Sequence, residues 1–131
     1  MLRFDYVPSD FQPMYLFLGD ADDLGALAGL LRRFAKDQRE VSVSEGIPNS
    51  KSRTGLTLAP PQNEFGMRAI NGSFKWLLNA WQAEQIAERI DLLTPADHKS
   101  GSDLFEVGSD GEVPVKVSRG EFTDDYLVSK L

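Results

Sequence analysis

The chain has 131 residues, 41% of them hydrophobic and 10% aromatic, with a formal net charge of −6 and no cysteine. A single domain of this size buries roughly two-thirds of its unfolded surface, and the composition excludes a disordered chain, a disulfide framework, thiolate metal sites and cysteine nucleophiles. The charge is uneven, at −4 over 1–23, +2 over 24–96 and −4 over 97–131, so nucleic acid and anionic lipid are disfavoured partners and a basic protein is a better one. No apolar run is long enough for a membrane span, and acids and prolines stand where a signal peptide needs an apolar core, so a cytoplasmic location is expected.

A short strand is predicted around Arg3–Val7, stopped by Pro8, and a buried strand over Met14–Gly19, an apolar run ended by glycine. After Gly19 the period changes. Leu24, Leu27, Ala28, Leu31, Phe34 and Ala35 recur at three and four, one face of a helix over 20–36 with aspartates at its start and Arg32, Arg33 and Lys36 near its end. Gly25 and Gly29 are costly in a helix, and are read as letting it lie close on a sheet. Glu40–Glu45 and Thr54–Pro60 alternate as half-buried strands, joined by a polar loop over 46–53.

Asn71-Gly72 between apolar runs predicts a hairpin of Phe65–Ile70 against Ser73–Leu78, because both residues tolerate the positive φ of a type I′ turn. The competing reading makes Ser73 the cap of a helix with Phe74, Leu77, Leu78 and Trp81 on one face. Either way, Ala83, Ile86, Ala87, Ile90 and Leu93 form a helical stripe ending before Pro95. A second hairpin is expected over 104–117, with Val113, Val115 and Val117 alternating, followed by a short C-terminal helix.

The expected fold is α+β: a largely antiparallel sheet of six to seven strands with two main helices packed on one face. A helix near 20 followed by strands near 41 and 54, and a helix near 80 followed by strands near 103 and 113, also outline a helix–strand–strand pseudo-repeat about sixty residues long.

No phosphate-binding, dinucleotide-binding, nucleophile-elbow or HExxH motif is present. One histidine and no cysteine make a poor zinc inventory. The calcium-loop spacing from Asp20 fails at Leu24 and Leu31, where oxygen ligands are required. No metal and no cofactor are therefore expected. His98, beside Asp97 and near Ser100 and Ser102, reads mainly as a surface-loop histidine.

The remaining candidates are two groups. The acids Glu106, Asp110, Glu112, Glu121, Asp124 and Asp125, with Asp103, read chiefly as the wet face of a hairpin and its turns, and secondarily as a partner-binding patch. Tyr15, Phe17, Trp76 and Trp81 are the aromatics for a pocket, with core packing as the plainer reading. Three function classes follow. A non-enzymatic protein-binding domain leads, an immunity-like or regulatory protein masking a basic partner. A small-molecule-binding domain with an aromatic pocket between helices and sheet comes second, and a hydrolase around His98 and nearby acids third.

Overall fold

The computed structural model describes residues 1–8, 13–95 and 101–120. In chain order the elements are β1 (Leu2–Val7), β2 (Met14–Gly19), α1 (Ala21–Asp37), β3 (Val41–Ser42), α2 (Val43–Gly46), β4 (Ser50–Lys51), β5 (Leu56–Ala59), β6 (Gly66–Ile70), β7 (Ser73–Leu77), α3 (Ala80–Asp91), β8 (Gly101–Phe105) and β9 (Val115–Arg119). The fold is α+β, but the strands form two mixed sheets where a single, largely antiparallel one was expected. One has the order β4-β1-β2-β9-β8 and the other β3-β5-β7-β6. Both have a parallel pair at the centre, β2 with β9 and β5 with β7.

The predicted hairpin at 71–72 is present, with Asn71 at φ 51° and Gly72 at φ 83° as its turn type demands. Leu24, Leu27, Ala28, Leu31, Phe34 and Ala35 are all buried, as the α1 period requires. Gly25 and Gly29 do not serve a close approach to a sheet. A β-carbon on Gly25 would meet nothing within 4 Å, and one on Gly29 only Arg33. The expected strand over Glu40–Glu45 is cut to Val41–Ser42 because the chain turns into α2. The expected loop over 46–53 contributes β4, which pairs parallel with β1.

The two halves of the chain repeat one plan. A hairpin, a helix and two strands run β1-β2-α1-β3-β5, then β6-β7-α3-β8-β9. Each sheet joins the hairpin of one half to the last strands of the other, so the orders β1-β2-β9-β8 and β6-β7-β5-β3 are equivalent. The pseudo-repeat seen in the sequence is thus longer by a hairpin, and its strands are exchanged between halves.

A shift of 59 positions relates the halves over most of their length. It maps the helix cap Asp20 to Asn79, each closing a reciprocal capping box. It maps Leu24, Leu27, Ala28, Leu31 and Phe34 onto Ala83, Ile86, Ala87, Ile90 and Leu93, every one buried. Leu56 and Leu58 map to Val115 and Val117, which hold the same places opposite the partner hairpin.

Equivalent residues also touch one another. Tyr15 meets Phe74 at 5.1 Å between ring centroids and Phe17 stacks on Trp76 at 5.7 Å. Arg32 binds Asp91 at 2.5 Å. A residue can touch its own counterpart only near a symmetry axis, so a pseudo-two-fold axis runs through the core between the sheets and out between the helices. The sheets, α1 and α3 share one apolar core. A smaller cluster of Val7, Leu16 and Leu18, with Met14, lies on the opposite face of β2.

Candidate functional site

Internal symmetry separates what the fold needs from what one half has added. Positions of the second half that break the pattern include Trp81, where the first half has Asp22, Arg89, where it has Leu30, Leu92, where it has Arg33, and, by the registers of β3 and β8, Glu106, where it has Ser44. Trp81 and Arg89 lie on α3, and Leu92 is the residue that caps its C-terminus. Asn79 caps that helix by accepting from the Gln82 amide at 2.7 Å, which fixes its first turn. With Ala83, Ile86, Ala87 and Ile90 facing inward, Trp81 sits roughly 200° away from Ala83 around the helix and points to solvent. It is 69% exposed, the most of any large apolar side chain among the described residues.

Beside Trp81 a groove of about 300 Å³ runs between α3 and the chain leaving β8. Ile86, Phe105 and Val107 make its apolar lining, with Gln85, Arg89 and Glu106 around them. Arg89 is fixed at one wall. Its guanidinium lies 4.5 Å from the centroid of the Phe105 ring, donates to both Asp103 carboxylate oxygens at 2.9 and 2.5 Å, and reaches the Leu104 carbonyl at 3.2 Å. Asp103 also accepts from the Leu104 amide at 2.9 Å. Both backbone polar groups of Leu104 are thus used by side chains, which blunts this edge of the sheet against another strand.

The opposite wall owes its shape to Glu112. Its carboxylate accepts from the amides of Val107, Gly108 and Ser109 at 3.0, 2.6 and 2.9 Å. In the first half the equivalent segment is α2, where a helical bond from the Ile47 amide to the Val43 carbonyl does similar work. Gly66, at φ 91°, has no room for a side chain because Glu112 lies against it. Glu112, expected on the outward face, is therefore an internal anchor of the loop.

The other predicted residues scatter. Glu106 is exposed at the groove, and Asp110 is exposed at the turn, where its carbonyl accepts from Arg68 at 2.7 Å. Tyr15, Phe17 and Trp76 are fully buried core rings, so they and Trp81 do not line one pocket. Burial pushes the Tyr15 hydroxyl well above its ordinary pKa, and its bond to Thr54 Oγ1 at 3.3 Å offsets this only in part. Glu121, Asp124, Asp125 and His98, with Asp97 and Ser100, lie outside the described residues, as does the expected C-terminal helix. Ser102 is on β8, half-buried.

Glu84, Glu88 and Arg89 were not singled out from the sequence. Their signal is position: Glu84 and Glu88 follow Trp81 by three and seven, on the same exposed side of α3.

Among the described residues no cluster of three His, Cys, Asp or Glu could hold a metal ion, and no helix is long and apolar enough to cross a membrane. No protein-family model, curated protein or solved structure matches the chain.

Proposed function

We propose that this chain is a non-enzymatic protein-binding domain that docks a basic partner on α3 and the adjoining groove, with Trp81 as its anchor. The observation that carries the reading is the exposed Trp81 beside an apolar groove, on a helix whose inward stripe already satisfies the core. A solvent-facing tryptophan gives the fold nothing, whereas tryptophan is among the residues that most often dominate binding energy at interfaces.

Charge supports the kind of partner. Glu84, Glu88 and Glu106 are exposed around the anchor, and Arg89, the cation there, is occupied by Asp103. An apolar anchor ringed by carboxylates suits a partner surface with an apolar recess ringed by Lys and Arg, and such a pair associates faster at low salt. The blunted edge of β8 favours docking through side chains over addition of a strand. Against a small-molecule pocket in the core, Tyr15, Phe17, Phe74 and Trp76 fill the space between the sheets with one another.

The test is to isolate partners with the wild-type chain, purify one, and measure its binding to wild type and to Trp81→Ala. The variant should lose about 2–4 kcal/mol of affinity, at least a thirtyfold rise in Kd, with an unchanged melting curve. Equal affinity of both proteins for every purified partner would reject the reading.

A further inference from the structure

We infer that the groove beside Trp81 is a socket for one leucine-sized aliphatic side chain of the basic partner, flanked there by Lys or Arg. This rests on the docking reading above and names the chemistry that the site selects. The argument comes from the other half of the molecule, where the same groove exists already filled.

The strand registers pair Val41 with Leu58 and Asp103 with Val117. Since Leu58 and Val117 are equivalent, Val41 corresponds to Asp103, and Val43, Ser44, Glu45 and Gly46 correspond to Phe105, Glu106, Val107 and Gly108. In the first half Leu30 seals this place. It is 3% exposed, and its methyl groups press so closely on Gly46 that any side chain there would collide with them. The helix position equivalent to Leu30 is Arg89.

Arg89 does not fill the gap that a leucine would. Its guanidinium is drawn off by Asp103, a residue replaced by Val41 in the first half, and lies over Phe105 as part of the wall. Among the described residues of the second half Leu30 has no substitute, and the space among them stays open over Ile86, Phe105 and Val107. A side chain supplied in trans at the Leu30 position would bury its methyl groups against these three and against Trp81. A cation next to it in the partner would meet Glu106 on one side or Glu84 on the other.

The probe is a pair of lysine-rich peptides identical except for one central Leu or Ala, titrated at low salt while following Trp81 emission, with the Ile86 and Val107 methyl resonances read in parallel. The buried Trp76 provides a constant background. The Leu peptide should bind about tenfold more tightly than the Ala peptide and shift both methyl signals. Arg89→Leu, which restores the internal plug, should abolish the Leu preference while melting no lower than wild type. Should that variant misfold, Val107→Glu, at the groove margin, should abolish the preference instead.

Equal affinities for the two peptides, including no binding of either at roughly millimolar concentration, overturn the socket. Shifts confined to methyl groups elsewhere overturn it too. The two readings fail separately: a Trp81-dependent response to the lysine peptides with no Leu preference leaves the docking face standing and removes the socket alone.

Discussion

The two halves of this chain spend the same plan differently. In the first, Leu30 closes over Gly46, the Ile47 amide closes the α2 turn onto the Val43 carbonyl, and the solvent face of α1 carries Asp22, Gly25 and Gly29. In the second, Arg89 is pulled aside, a carboxylate holds the loop amides, and the solvent face of α3 carries Trp81, Glu84 and Glu88. The aromatic pairs Tyr15–Phe74 and Phe17–Trp76 at the pseudo-two-fold axis keep their apolar character across the halves, while Arg32 and Asp91 meet there with opposite charge. Several departures gather beside the groove at α3. Internal pseudo-symmetry thus provides a comparison that a single sequence otherwise lacks: what both halves share is what the fold requires, and where they differ one half carries something the fold does not need.

Buried equivalents should cost alike, and they set the largest expected effects. Leu27→Ala and Ile86→Ala remove aliphatic side chains from matching places in one core, each 5% exposed or less. Each should destabilise by about 2–5 kcal/mol in denaturant melts. A loss from either variant below about 0.5 kcal/mol would mean that the two helices do not share the core symmetrically.

A second pair sharpens the comparison with opposite charges. Registers make Asp5 equivalent to Arg68, since each follows the residue opposite Phe17 or Trp76. Asp5 accepts from the Ser52 hydroxyl at 3.0 Å and the amides of Arg53 and Thr54 at 2.8 and 3.2 Å. Arg68 donates to the Phe65 and Asp110 carbonyls and to Ser109 Oγ. Each ties down the loop leading to a central strand, one by accepting and one by donating. Asp5→Ala should cost about 1–3 kcal/mol by leaving two part-buried amides without their acceptor, and Arg68→Ala somewhat less, because the Asp110 carbonyl it leaves is exposed to water. Chemical denaturation of both variants is the check, and reversal of that order would reject the account.

How much of this was legible follows physical lines. Period-3.6 stripes gave both long helices, and Asn71-Gly72 gave its hairpin, because those signals are local. "MYLFLG" carried more than was taken from it. An apolar run without alternation marks a strand covered on both faces, as central strands next to a parallel neighbour are, and β2 holds that place with Phe17 inward and Leu16 on the other side. Which strand lies beside it, over ninety residues away, is not a local property.

Trp81 was legible and misread. The stripe of 83, 86, 87 and 90 already excludes position 81 from the inward face, but an aromatic residue invites assignment to the core. Glu112 was not legible as an anchor, since its role depends on a loop whose amides lack a strand partner.

The helix caps give a smaller effect that separates the halves by pH. Asp20 accepts from the Asp23 amide at 2.9 Å, and this bond holds its carboxyl below the usual carboxylate range. A group with a lowered folded pKa adds stability above its unfolded pKa, near 3.9, and loses it as pH falls through the folded value. Asn79 has no charge to lose. Asp20→Ala and Asn79→Ala should each cost about 1 kcal/mol at neutral pH. Below about pH 4 the Asp20→Ala penalty should shrink and the Asn79→Ala penalty persist. Parallel pH dependence of the two penalties would show that the Asp20 charge contributes nothing to the cap.

The smallest expected effect is a gain. Gly25 lies inside α1, exposed, where α3 has Glu84 at the equivalent position. A β-carbon there would touch nothing within 4 Å, and the helical backbone suits any L-residue. Glycine at such a site loses backbone entropy on folding and returns no packing for it. Gly25→Ala should therefore stabilise the chain by about 0.4–1 kcal/mol, read as a small rise in Tm and in the denaturant midpoint. Gly29→Ala should gain slightly less, because the Arg33 guanidinium stands 3.8 Å from the new methyl group. Destabilisation by Gly25→Ala would mean that something approaches this face of α1 in solution. The contrast between a closed first half and an open second half would then need revision.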